Sequence, residues 1–159
     1  MASGRVVLIL GSGSDEEFSN PIMRVLEDFG IMVTRRVASA HRTPRRLLEI
    51  LQENEQTEQL VYITVAGLSN ALSGFVDANT VHPVIACPPT CERFGGGDIL
   101  SSLRMPKGVA PLVVLEPENA ALAAAKILGE GDTELRSKVE AYQRKTRDKV
   151  ETDDLKLRK

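Results

Sequence analysis

The chain has 159 residues, 42% of them apolar and 26% charged, which is the composition of an ordinary globular protein and a length that one domain accommodates. Twenty basic residues against 22 acidic ones leave a net charge of −2, and only 4% of residues are aromatic. Neither a positive field nor a set of base-stacking platforms is on offer, so nucleic acid is excluded as an expected partner.

Arg5 to Leu10 is a short continuous apolar run ending at Gly11, the signature of a strand buried on both faces of a parallel sheet. It is far shorter than a secretory core or a span of about 20 residues, so no membrane association is expected. From Asp15 the period changes: Phe18, Ile22, Leu26 and Phe29 fall at helical spacing until Gly30, with Pro21 expected to kink or delay that helix.

Ile31 to Ala38 reads as a second strand. Thr43-Pro44 then supplies a helix N-cap and a proline at the first helical position, predicting a helix to about Asn54. Leu60 to Val65 is a third buried strand, Ser69 to Ala78 a helix, and Val84 to Cys87 a fourth strand closed by Pro88-Pro89. Leu112 to Leu115 makes a fifth strand and Glu118 to Leu128 an alanine-rich helix ended by Gly129 and Gly131. Strands alternating with helices predict an α/β fold, a flavodoxin-like three-layer sandwich on a five-stranded parallel sheet. No internal repeat is present.

Asp132 to about Val150 is a further helix with Leu135, Val139, Tyr142 and Val150 on one narrow stripe. It either lies on its own domain or reaches onto a neighbouring subunit. Asp153 to Lys159 is expected to fray. The whole chain, 1–159, is expected to be one domain, with a core over about 5–129 and a C-terminal helix and tail over about 132–159.

In an open parallel sheet, ligands bind beyond the carboxyl ends of the strands, where every unusual turn of this chain falls. Gly11-Ser12-Gly13-Ser14-Asp15 joins the first strand to the first helix, so main-chain N–H groups, hydroxyls and a helix dipole converge on an anion, phosphate above all. The plainer reading is that the serines cap the helix and the glycines turn the chain. The motif lacks the GK[ST] ending of a triphosphate loop and the G-x-G-x-x-G of dinucleotide folds.

Ser39-Ala40-His41-Arg42-Thr43-Pro44 occupies the equivalent turn after the second strand. Ser39 and Arg42 can bind phosphate by hydroxyl and guanidinium, and His41 supplies an imidazole, the side-chain type suited to proton transfer near neutrality. His82, just before Pro83 at the entrance of a strand, is read as structural. After the third strand, the small residues around Gly67 let main chain approach a ligand while Ser69 and Asn70 offer hydrogen bonds. Ser69 as a helix N-cap is the alternative. Pro88-Pro89 stiffens the fourth turn, and Ser101-Ser102-Leu103-Arg104 is a candidate for the far wall of the site. Cys87 and Cys91 are the only cysteines, two thiols on one local segment that suggest neither a disulfide framework nor zinc. A reducing, cytoplasmic compartment is expected, and no metal.

Taken together, GSGSD at 11–15, SAHRTP at 39–44, AGLSNALSG at 66–74, CPP at 87–89 and SSLRMPKG at 101–108 resemble the phosphoribosylaminoimidazole carboxylases and mutases of purine biosynthesis, across nearly the whole chain. The resemblance implies a flavodoxin-like subunit in an octamer, active sites at subunit junctions and a C-terminal helix packed across a neighbour. It implies that Ser12, Ser14, Ser39 and Arg42 surround a ribose phosphate, that Asp15 holds ribose hydroxyls, and that His41 moves the proton at the reacting carbon. It also implies small-molecule substrates, aminoimidazole ribonucleotide (AIR) and carbon dioxide, and no cofactor.

One branch of the family moves a carboxylate within N5-carboxyaminoimidazole ribonucleotide; the other adds carbon dioxide directly to AIR. Ser69-Asn70, Cys87-Pro88-Pro89, Ser101-Ser102-Leu103-Arg104 and Leu115-Glu116-Pro117 resemble the direct carboxylases (class II), whereas the mutases usually carry a second histidine after the third strand. Arg42 stands where the carboxylase branch often has lysine, and Leu68 where it often has arginine. Carbon dioxide is then expected in a small pocket near Gly67, Ser69, Asn70 and Pro88. The mutase is the alternative activity, and a non-catalytic nucleotide-binding module the alternative of another class.

Overall fold

The computed structural model describes residues 4–158. In chain order it contains β1 (Arg5–Leu10), α1 (Glu16–Asp28), β2 (Met32–Val37), α2 (Pro44–Asn54), β3 (Leu60–Val65) and α3 (Leu72–Ala78). These are followed by β4 (Val84–Ala86), α4 (Leu100–Leu103), β5 (Leu112–Val113), α5 (Pro117–Leu128) and α6 (Thr133–Leu157). The strands are all parallel in the order β2-β1-β3-β4-β5, the flavodoxin-like arrangement with its switch point at β1 and β3.

The unbroken apolar run of β1 is explained by helices on both faces. Successive side chains of a strand alternate in direction, so Val6, Leu8 and Leu10 join Ile22, Leu26 and the alanines of α5 in one core, while Val7 and Ile9 join Leu47, Ile50, Leu72 and Val76 in the other. Ala120, Ala121, Ala124 and Ala125 are all fully buried. Their small side chains let α5 lie close against α1 and the sheet. Gly30, at φ +76°, provides the left-handed residue that ends α1 and turns the chain into β2.

Several boundaries differ from expectation. α1 starts at Glu16 and runs through Pro21, which leaves the Glu17 carbonyl without its helical partner but neither delays nor ends the helix. α3 starts at Leu72 rather than Ser69, because Leu68 adopts a left-handed φ of +57° and Asn70 is drawn into the protein. β4 and β5 end one and two residues early.

The largest difference is α6, which continues to Leu157 where fraying was expected. Pairs spaced for one helical face, Lys156 with Asp153 at 3.0 Å and Arg158 with Asp154 at 2.6 Å, each add a few tenths of a kcal/mol there. Asp132 caps the other end, accepting N–H bonds from Glu134 and Leu135 at 3.0 Å. The first turns of α6 lie on the parent domain: Leu135 and Val139 are buried, Tyr142 packs its ring 5.5 Å from that of Phe29, and Lys138 Nζ donates to the Phe29 carbonyl. Farther along, Val150, Leu155 and Leu157 are exposed.

The alanine face of α5 supplies a direct test. Ala124→Leu forces a larger side chain into a closed interface and should destabilise the protein by about 1–3 kcal/mol with its circular dichroism spectrum retained; thermal melts against the parent chain measure it.

Candidate active site at the carboxyl end of the sheet

The turns that follow β1, β2, β3 and β4 line one cavity of about 760 Å³, within the range of about 300–1,000 Å³ usual for small-molecule sites. Of the residues expected in a site, Ser12, Ser14, Asp15, Ser39, His41, Arg42, Gly67 and Ser69 all face it. Their convergence follows from strand register. Leu10 pairs with both Val37 and Val65, so β1, β2 and β3 finish level.

The first turn is folded around itself. Ser12 is an N-cap whose hydroxyl accepts from Ser14 N, and the Asp15 carboxylate reaches back to accept from Ser12 N at 3.0 Å, a capping box across a 3₁₀ turn. Ser14 Oγ lies 3.1 Å from Ser12 Oγ, so the two hydroxyls are presented together. Nothing lies within 4 Å of where a Cβ on Gly13 would stand, which leaves its main chain bare to an approaching anion. Partial burial pushes the Asp15 carboxyl above its ordinary titration, opposed by the Ser12 N–H bond.

Thr43 stands at the N-cap position of α2 as expected, but its side chain bonds within the second turn. Its hydroxyl makes no cap bond to α2; it accepts from Ser39 N at 2.9 Å and donates to the Ser39 carbonyl, while Thr43 N also donates to that carbonyl. Ser39 Oγ in turn accepts from Arg42 N at 3.2 Å. These bonds close the turn into a compact loop that carries His41 and Arg42 outward on the cavity side, both exposed. Pro44 occupies the first turn of α2 as expected.

In the third turn the main chain of Gly67 presses on the fourth. A Cβ there would stand 2.8 Å from the Pro89 carbonyl oxygen, so only glycine fits. Ser69 faces the cavity, but Asn70 does not. It is 4% exposed, and its carboxamide is spent inside the protein, donating to Ser73 Oγ at 3.1 Å and Ser102 Oγ at 2.9 Å and accepting from Ser73 N. Pro88 is buried behind the wall and Pro89 takes the lining position. Ser101 and Ser102 likewise stand behind the wall rather than forming it.

Thr90, Cys91 and Glu92 complete the rim and were not foreseen. The only sequence signal for them was their place directly after the prolines that close β4. Cys87 sits behind the wall, its Sγ 3.6 Å from the Leu115 carbonyl, and burial with the nearby Glu116 carboxylate pushes its thiol up to about 12. His82 lies at the other end of the sheet, ahead of β4, with its ring 6.2 Å from that of Tyr62. Among the described residues no three His, Cys, Asp or Glu side chains cluster as a metal would need, and no helix is long and apolar enough to cross a membrane.

The family described as AIR carboxylase matches residues 5–149 of this chain. A phosphoribosylaminoimidazole carboxylase of Archaeoglobus fulgidus is 54% identical over 154 residues, covering 97% of this chain and 85% of that one. One of Treponema denticola is 44% identical over 155 residues, covering 97% and 98%. The crystal structure of Treponema denticola PurE superposes with a TM-score of 0.95 at 44% identity, over 98% of this chain and 99% of that one.

The strained ionisation of Asp15 predicts a measurable asymmetry. Asp15→Asn keeps an acceptor for Ser12 N–H while removing the charge that burial disfavours, so at pH 7 it should melt no lower than the parent, whereas Asp15→Ala should melt lower. Because the folded carboxyl titrates above its unfolded value, the cost it carries is present at neutral pH and is relieved as pH falls through its titration. Any advantage of the asparagine form should shrink in the same acid window, as melts across pH will reveal.

Proposed function

The chain belongs to the AIR carboxylase family and is an enzyme of it, and on that premise we propose that it carboxylates AIR directly with carbon dioxide, reversibly and without ATP, to give 4-carboxy-AIR in purine biosynthesis. The observation that carries this reading is the meeting of His41 with the two serine-bearing turns after β1 and β2 in one cavity. A phosphate seated on one side and a proton-transfer group beside it are what carboxylation of a ribonucleotide ring demands. The names of the two relatives above support the direct carboxylase over the mutase.

In this reading Ser12, Ser14 and the bare main chain at Gly13 receive the ribose phosphate, helped by Ser39 and the forked guanidinium of Arg42. Asp15 accepts from the ribose hydroxyls. The aminoimidazole then points toward the third turn, where Gly67 and Ser69 border the space for carbon dioxide; Asn70 and Pro88, buried away from the cavity, support that wall from behind. The electron pair of ring carbon 4 forms a bond to the carbon of carbon dioxide, whose oxygen takes up the negative charge. The ring carbon now carries both its proton and the carboxylate. His41 accepts that proton, the C–H electron pair returns to the ring, and aromaticity is restored. In reverse, the imidazolium delivers the proton. Orientation and exclusion of water supply the assistance.

We propose further that the enzyme is a cytoplasmic octamer with its sites at subunit junctions. Two features support the assembly: the exposed Val150, Leu155 and Leu157 on the far half of α6, and the outward position of His41 and Arg42.

Purified enzyme given AIR and bicarbonate without ATP should form the carboxylated product, and given N5-carboxyaminoimidazole ribonucleotide should not isomerise it; the opposite pair of results would establish the mutase. His41→Asn should bind AIR normally and lose about 10²–10⁴-fold in kcat. Arg42→Ala should raise the KM for AIR about tenfold or more with kcat little changed, and a fall in kcat at constant KM would refute its phosphate role. Sedimentation velocity should return a species of eight chains, and a stable monomer at micromolar concentration would overturn the assembly.

A further inference from the structure

We propose that Ser101 is a positioning residue for the carboxylation: its hydroxyl, outside the cavity, holds the main chain on both sides of Ser69 and so fixes the wall against which carbon dioxide reacts. This rests on the reaction proposed above.

Leu68 is the one non-glycine residue with positive φ among the described residues, at +57°. Leucine adopts that conformation only where something beyond the residue holds it. The holding group is Ser101 Oγ, which accepts from Asn70 N at 3.0 Å and stands 3.0 Å from the Leu68 carbonyl, to which it donates. One oxygen thereby engages the main-chain groups flanking Ser69, and Ser69 is left with its side chain toward the cavity. The same Ser101 Oγ lies 2.8 Å from the Asp98 carbonyl, so its single proton is shared between that carbonyl and the Leu68 carbonyl; the Asp98 carboxylate accepts from Cys91 N, which ties α4 to the segment bearing Cys91.

The neighbouring Asn70 carboxamide, bonded to Ser73 and Ser102, keeps the chain from sliding along this contact. Ser101 itself lines no part of the cavity. It can influence the reaction only through the wall it holds, and a shift of that wall acts on the reacting end of the ribonucleotide rather than on its phosphate, which is seated on the first two turns.

The test uses the full-length enzyme with AIR and bicarbonate. Ser101→Ala should lower kcat about tenfold or more and raise the KM for bicarbonate, while the KM for AIR changes less than about twofold and the melting temperature stays close to the parent's. Ser101→Thr, which restores the hydroxyl, should recover most of the lost rate. Unchanged kinetics in Ser101→Ala, a parallel loss of AIR binding and melting temperature, or no recovery with threonine would each overturn the positioning role. Absence of turnover in the parent enzyme would instead overturn the reaction and this role together.

Discussion

Everything the cavity presents depends on one run of main-chain hydrogen bonds at the end of β1. Gly11 N donates to the Val65 carbonyl and Ala38 N donates to the Leu10 carbonyl, both at 2.9 Å, closing the ladder to β3 on one side and to β2 on the other. Because parallel ladders repeat evenly, this fixes the three strand ends at one height. The turns then leave in different directions, β1 toward α1 on one face and β2 toward α2 on the opposite face, and the space between them opens at the switch point. A slip of one residue in β1 would exchange its two buried faces and move the turn that follows it off the level of the others.

The turns themselves are stiffened by short-range bonds. Ser12 with Asp15, and Ser39 with Thr43 and Arg42, are closed within three or four residues of chain. Such short-range contacts fix the direction of the main-chain and hydroxyl groups that line the cavity. Gly67 contributes in the opposite way, by lacking a side chain: its main chain rests directly on Pro89, which sets the separation of the third and fourth turns.

What the sequence made legible were features decided locally or by period. The apolar runs of β1 and β3, the helix spacing of Ile22 and Leu26, and the turns carrying Ser12, Ser14, Asp15, Ser39, His41 and Arg42 to the cavity all announce themselves within a few neighbours. Thr43-Pro44 marks the start of α2 correctly, though the Thr43 hydroxyl bonds Ser39 just upstream instead of capping the helix. Asn70 was illegible. Its carboxamide bonds Ser73 nearby and also Ser102, 32 residues away, and no local pattern distinguishes a polar side chain that faces a ligand from one that faces buried serines. The far end of α6 was misjudged because terminal fraying is the general tendency, whereas its side-chain ion pairs become neighbours only once the helix exists.

The two cysteines, set four residues apart in sequence, end up chemically unequal. Cys87, buried with a thiol pushed up to about 12, offers almost no thiolate at neutral pH, while Cys91 stands half-buried on the cavity rim. Alkylating reagents react through the thiolate and need access to it. The folded protein therefore distinguishes its own sulfurs, and a label added without mutagenesis would be directed to the mouth of the cavity, where a fluorophore or spin probe would report occupancy from a single point.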